Sequence, residues 1–549
     1  MRAFPKRLGW VILGGAWFGA AGGLAQITPA GAEIAVTTTT TASAYQGAPV
    51  VAWLPAGDYV VAWQEQSATT GGWDVLAQRY QAGGAAVGPL LQVSGPSSAF
   101  CRQFPAAAAD AAGDFVIVWQ SNEESGGVHG IFGQLFTSAG QPEGAVFQVN
   151  SPSASDDQAP AVAMAPDGRF FVVWQNGGED GGSWGVLGRP FAAGGAAASG
   201  VVGINQTTAG AQHSPAVAYL PPSAAEAAER FEVVWQSEGQ DGAGTGASGI
   251  EGRAFDGAGN ALSAELAINA PATGAHAQPR IASDPSGNFV VAWENLTAGG
   301  SAVLARRFNA AGTALSGQQA VDASPTGPQH DPAVATNALG EFVVVWDSLS
   351  QDGSGAAVLA QQFNALEQPQ GGKVQLNTTV AGDQSLAGVG LSAGGSLLMA
   401  WQSQTPAADA AVITARAATL PALEFYSVFP CRMVDTRNAA GPFGGPALAS
   451  GRVRNFPLLA SACGVPETAK ALSINATAVV PGGAGGLVAY PGDAAAPPTN
   501  YISFAAGAVI ANNAVLGLSR NGDGSLNVLA VLSPAGTVHF LIDVNGYFQ

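Results

Sequence analysis

Short apolar runs that end in tryptophan recur along the chain. They read Tyr59-Val60-Val61-Ala62-Trp63, Phe115-Val116-Ile117-Val118-Trp119, Phe170-Phe171-Val172-Val173-Trp174, Phe231-Glu232-Val233-Val234-Trp235, Phe289-Val290-Val291-Ala292-Trp293, Phe342-Val343-Val344-Val345-Trp346 and Leu397-Leu398-Met399-Ala400-Trp401. The steps between these tryptophans are 56, 55, 61, 58, 53 and 55 residues, and they account for seven of the chain's twelve. Each run is too short for a helix, rich in β-branched and aromatic residues, and bounded by turn formers, so each reads as a strand. With no polar face, it must be covered on both sides.

Three further strand-sized pieces surround every copy. A Pro-led run such as Pro160-Ala161-Val162-Ala163 precedes it across a tight turn such as Pro166-Asp167-Gly168. A third piece follows, as in Val358–Phe363, and then a fourth, as in Val146–Asn150. We name these strands a, b (the Trp run), c and d. Four strands repeated seven times predicts an all-β fold, a seven-bladed β-propeller over residues 32–419, because a solenoid uses shorter repeats with fewer strands. The Trp ring is expected to fill the space between neighbouring blades. The seventh copy has strand c at Val412–Arg416 but no strand d, while Ala32–Thr37 stands before the first copy with no repeat of its own. The two ends are expected to pair, Ile34 beside Val412, and so remove an exposed edge.

The repeat, with its Pro-Ala-Val-Ala, Phe-Val-Val-Val-Trp and Asp-Gly-Ser-Gly segments, resembles those of secreted bacterial β-propeller proteins. It lacks the signatures of WD40, kelch and sialidase-type repeats, which weighs against an enzyme. In an up-and-down meander the b–c and d–a connections share one end of every blade. Here those loops are the longer and more polar, and function concentrates on such loops. Candidate ligand-binding residues are therefore Gln103, Gln158, His213, His276 and His330 in the d–a loops and Asp180, Asp241 and Asp352 in the b–c loops. One reading has them making turn and loop hydrogen bonds, repeated because the blades repeat. The other has a polar, acidic ring that binds a glycan, a peptide or Ca²⁺. Each loop offers one or two carboxylates, so the Ca²⁺ signal is weak, and no cofactor is expected.

Beyond Leu420 the repeat stops. Residues 424–549 carry Val434-Asp435-Thr436-Arg437 early and Asp543-Val544-Asn545-Gly546-Tyr547-Phe548 at the end, between alternating strand-like runs. A small β-sandwich is expected. The segment is similar to a module found at the C-termini of secreted bacterial proteins, which implies an extracellular domain with no assigned activity. Asp435, Arg437, Asn475, Asn512, Asp543 and Asn545 match the pattern's polar residues and are expected to form a structural polar network. Cys431 and Cys463 lie in this segment and are expected to form a disulfide in an oxidising compartment; Cys101 is left over.

At the other end, a basic Met1–Arg7 segment, an apolar stretch over Leu8–Leu24 and small residues describe a signal peptide, residues 1–25. Its removal leaves 17 basic against 38 acidic residues, a net charge of −21. Nucleic acid is then an improbable partner, and no later stretch is apolar enough to span a membrane. Gly and Pro make up 109 of 549 residues, which excludes a long-helix protein. No G-x-S-x-G, H-E-x-x-H, Walker or C-x-x-C motif occurs. The expectation is a secreted, monomeric, non-catalytic binding or surface-interaction protein for an extracellular glycan or protein. The alternative is an extracellular carbohydrate-active hydrolase or lyase with carboxylates at the channel mouth.

Overall fold

The computed structural model describes residues 27–549 apart from short stretches, chiefly 37–44, 96–98, 124–127, 179–182, 241–246, 271–273, 405–410 and 421–424. The signal-peptide segment lies outside the described residues. The chain is all-β; its one helical turn is Leu458–Ala460. Among the described residues no helix is long and apolar enough to cross a membrane.

Residues 28–419 form seven four-stranded antiparallel sheets in chain order. Sheet 1 is Gln46–Trp53, Tyr59–Gln66, Trp73–Tyr80 and Ala86–Gln92, and the next five repeat this order over 102–148, 157–203, 212–267, 275–320 and 329–375. Sheet 7 takes its a, b and c strands from Asp383–Leu391, Ser396–Gln404 and Ala411–Thr419, and its fourth from Thr28–Ala35. The leading strand thus closes the last sheet. Ile34 stands opposite Ala415 rather than Val412, because the pairing slips at an irregularity between Ala30 and Ile34.

Each sheet is covered on both faces by its neighbours, which is why the Trp run of strand b is apolar in every sheet but the fourth, where Glu232 interrupts it. Val60 and Ala62 of sheet 1 pack with Phe115, Ile117 and Trp119 of sheet 2. The pattern continues to sheets 6 and 7, and Leu398 and Ala400 of sheet 7 pack with Tyr59, Val61 and Trp63 of sheet 1. The series therefore closes on itself. All seven repeated tryptophans are fully buried in these inter-sheet layers. Burying one indole of this size contributes several kcal/mol, roughly 3–5 by the cost of truncation.

Two sets of hydrogen bonds tie neighbouring sheets. In the strand c layer, Arg189, Arg253, Arg306 and Arg416 each donate through Nη1 to a carbonyl at the end of the preceding sheet's fourth strand, at 2.8–2.9 Å. Nearer the axis, every a strand carries a bulge, with slips such as Gln103/Ala106 and His330/Ala333. The seven a-strand bulge residues, Ala48, Phe104, Ala159, Ser214, Gln278, Asp331 and Leu386, all have φ between 47° and 55°. Such backbone is unfavourable for a side-chain-bearing residue, so something must hold it. At five of the seven boundaries the holder is the residue after the Trp in the preceding sheet. Its side chain accepts the bulge N–H: Gln64 Oε1 from Phe104 (2.9 Å), Gln120 Oε1 from Ala159 (2.9 Å) and Gln175 Oε1 from Ser214 (3.0 Å).

Residues 425–548 build two more sheets. The first is Phe425–Asp435, Thr537–Phe548, Ala471–Val479 and Val509–Gly517, with Leu448–Ala449 added; the second is Val453–Pro457, Ser525–Ser533, Ala484–Pro491 and Ile502–Phe504. They share one core, separate from the seven inter-sheet layers, that includes Val434, Phe456, Leu472, Ile474, Leu487, Leu526 and Phe540. Alternate residues of Ala471–Val479 are buried, as a one-face strand requires. A disulfide joins Cys431 to Cys463.

Candidate functional site

One position, the residue after the Trp, serves most of the bulge layer, and its chemistry changes in two adjacent sheets. After each Trp stands Gln64, Gln120, Gln175, Gln236 or Gln402 in five sheets, but Glu294 in sheet 5 and Asp347 in sheet 6. Both acids keep the structural duty: Glu294 Oε1 accepts the Asp331 N–H at 2.7 Å, and Asp347 Oδ2 accepts the Leu386 N–H at 2.8 Å. A neutral amide would serve that hydrogen bond without burying a charge, so the carboxylates are not explained by the bulge alone.

Two more departures fall at the same junctions. The sheet 6 bulge residue is Asp331, where other sheets have Ala48, Phe104, Ala159, Ser214, Gln278 and Leu386. Two residues past the sheet 5 bulge stands Arg280, where the equivalents are Val50, Ala106, Ala161, Ala216, Ala333 and Gly388. Burial pushes the Asp347 carboxyl well above the usual carboxylate range, and the charges of Asp331 and Glu294 add to the push. Its Oδ1 is buried and has no hydrogen-bond partner. Burial lowers the Arg280 guanidinium, against the opposing pull of Asp331 and Glu294. Asp331 and Arg280 are half-buried on the inner strands, while Glu294 and Asp347 lie behind them. The arrangement sets one carboxyl, pushed toward its protonated form, beside two others and a guanidinium. That division of labour is what acid–base hydrolysis of a glycosidic bond needs.

The sequence-chosen residues fall in several places. Gln103, Gln158, His213 and His330 occupy one position, just before the bulge, in sheets 2, 3, 4 and 6. Gln158 donates to Asp156 (2.5 Å), and His213 packs beside Trp184, with burial lowering its imidazole. His330 joins the acidic junction, its Nδ1 3.5 Å from Glu294 Oε2. His276 is corrected: it sits one residue earlier in the strand and is fully buried, where its Nδ1 accepts the Trp293 Nε1–H at 3.1 Å. A ring nitrogen spent on the sheet's own tryptophan belongs to the core, not to a binding surface. Asp352 holds its own turn at Ser354 and the Asn377 amide. Asp180 and Asp241 lie outside the described residues.

In the C-terminal sheets, Arg437 and Arg432 converge on Asp435, whose carboxyl they hold down at about 2, and Arg432 also pairs with both oxygens of Asp543 at 2.7 and 2.8 Å. Asp435 itself is buried, while both arginines reach the surface. Asn512 is elsewhere and exchanges hydrogen bonds with Tyr501, and Asn545 is exposed; both depart from the single network expected. Among the described residues no group of three or more His, Cys, Asp or Glu is placed to hold a metal ion. Two hollows, one between Leu366 and Lys470 and one around Cys431 and Cys463, contain none of the junction residues.

Sequence reasoning missed Arg280, Glu294, Asp331 and Asp347. The signal was available: the residue after the seven tryptophans reads Gln, Gln, Gln, Gln, Glu, Asp, Gln.

No family model and no curated protein matches the chain. Among solved structures it is similar to a protein of unknown function from Dyadobacter fermentans (10% identity, TM-score 0.43, 73% of this chain and 100% of that one). It is also similar to the exo-β-1,3-galactanase of Phanerochaete chrysosporium (10%, 0.32, 84% and 98%) and to the GH93 α-L-arabinofuranosidase of Fusarium graminearum (10%, 0.38, 58% and 93%). The likeness is to the fold, an all-β series of repeating sheets. The expectation of a non-catalytic binding or surface-interaction protein is corrected by this comparison. The similar structures are mostly carbohydrate-active hydrolases by name, among them a galactanase, an arabinofuranosidase and a sialidase.

Proposed function

We propose that the protein is an extracellular carbohydrate-active hydrolase. Its body is a seven-bladed β-propeller over residues 32–419, released from a signal peptide of residues 1–25 and followed by a β-sandwich over 424–549. Its active site is the junction of sheets 5, 6 and 7. The observation that carries this reading is the concentration of Glu294, Asp331, Asp347 and Arg280 at the one arc where the residue after the Trp changes from an amide to an acid.

Asp347, pushed toward its protonated form by burial and like charge, is the proton source for the leaving-group oxygen, its unpartnered Oδ1 being the atom left to deliver it. Asp331, half-buried on the inner strand, is the carboxylate that acts as nucleophile or activates water. Arg280 steadies the charge that develops between them. Glu294 and Asp331 set against one guanidinium make a uronate-rich glycan an unfavourable guest, so the substrate class is a neutral glycan.

The test is reducing-sugar release by the mature protein from neutral polysaccharides (arabinan, galactan, xylan, laminarin) and from polygalacturonate. Release from a neutral polymer, with a rate that falls as pH rises past the Asp347 proton loss, supports the reading. No release from any polymer overturns it.

A further inference from the structure

The junction of sheets 5 and 6 holds a second constellation that uses none of the proposed acid–base pair. Ser301 Oγ lies 3.3 Å from His330 Nε2, and His330 Nδ1 lies 3.5 Å from Glu294 Oε2. Ser301 Oγ also accepts the Gln329 N–H at 3.0 Å. Ser301 and His330 are partly exposed, with the His330 side chain 40% accessible, while the Glu294 side chain is 4% accessible. A reachable hydroxyl, a reachable imidazole and a buried carboxylate are the parts of an activated serine, and such contacts are often loose before substrate binds.

The repeat supplies its own controls. The same three positions hold Gln120, His129 and Gln158 between sheets 2 and 3, and Gln175, Trp184 and His213 between sheets 3 and 4. Between sheets 4 and 5 they are Gln236, Ser248 and Ala277, and between 6 and 7 Asp347, Ala356 and Ser385. Only sheets 5 and 6 bring serine, histidine and carboxylate together. A structural need would not single out one junction of seven.

We propose that Ser301, His330 and Glu294 form an ester-cleaving site that removes short acyl groups, such as acetyl, carried on a glycan. That the ester is borne by a glycan rests on the hydrolase reading above; the ester cleavage itself does not. Ser301 Oγ attacks the ester carbonyl and His330 Nε2 takes its proton. The C–O bond to the alcohol breaks, and His330 returns the proton to the leaving oxygen. Water then attacks the acyl-serine with His330 again as base, releasing the carboxylic acid and restoring Ser301. Glu294 is a positioning residue that orients the imidazole.

The experiment uses the mature protein with p-nitrophenyl acetate and a fluorophosphonate probe, neither of which contains sugar, so its outcome is independent of glycan-chain cleavage. The expected result is probe attached to the peptide containing Ser301. Acetate release should be lost in Ser301→Ala, and lowered at least ~100-fold in His330→Gln. That variant carries the residue native to sheets 2 and 3, so folding is preserved. Ser248→Ala should label as wild type does. Glu294→Gln should lower kcat and displace the pH–rate midpoint with the thermal midpoint unchanged, a change that a merely structural role would not produce. Absence of label at Ser301, or equal labelling in His330→Gln, would overturn the proposal.

Discussion

The junction between sheets 2 and 3 and the junction between sheets 5 and 6 are built to one plan, and they differ in what the plan is used for. Both bury a tryptophan between apolar strands, Trp174 in one and Trp346 in the other. Both hold a bulge N–H on the side chain that follows a tryptophan. At the first, the holder is Gln120 and the held residue is Ala159. At the second, the holder is Glu294 and the held residue is Asp331. A glutamine there closes the hydrogen bond and asks nothing more. A glutamate closes the same bond and sets a second carboxyl oxygen toward His330, with Arg280 in electrostatic reach. In a repeat architecture the scaffold is read from what recurs and the chemistry from what departs.

The largest effect should come where the two junctions are alike. Trp174→Ala and Trp346→Ala should each cost roughly 3–5 kcal/mol. Equal losses in denaturant unfolding would sharpen the comparison, and losses that differ severalfold would break the equivalence of the sheets.

The next effect belongs to the last two sheets, whose core is separate from the ring's. Cys431→Ser should cost on the order of 2–4 kcal/mol. It should lower an unfolding transition of residues 425–548 and leave that of the seven sheets in place. A single transition that shifts as a whole would show the two parts to be coupled.

Sheet 4 offers a pH test. Glu232 stands where other sheets have Val60, Val116 or Val343, and burial lifts its carboxyl from 4.5 to about 7. The folded state then binds the proton more tightly than the unfolded one, so stability falls as pH rises from about 4.5 to about 7. The loss approaches ~3 kcal/mol above that window. Glu232→Val should flatten the profile of thermal midpoint against pH. An unchanged profile would remove Glu232 as its cause.

The smallest effect is expected from converting one junction into the other. Gln120→Glu should destabilise by about 1–3 kcal/mol, the cost of an unaccompanied buried carboxylate. Glu294→Gln should be neutral to slightly stabilising. The reverse order of the two would mean that Glu294 is kept for stability.

Much of this was legible before any coordinates. The Trp runs gave the b strands, the Pro-led runs the a strands, and the leftover leading segment gave the strand that closes sheet 7. These features depend on local pattern, and the pattern repeats. His330 could be picked out from its place before a strand a proline. What was hidden is what only the bulge brings together. Glu294 and Ser301 lie 29 to 36 residues from His330 in the chain and meet it only across a sheet boundary. His276 looked like His330 in sequence, yet one position along a bulged strand separates the buried core from the accessible junction.

The most direct measurement is sugar release from a neutral polysaccharide by wild-type protein and by the double variant Asp331→Asn, Asp347→Asn, with unfolding midpoints recorded for both. The account predicts a fall of at least ~100-fold in rate with the fold retained. A double variant as active as wild type would contradict it.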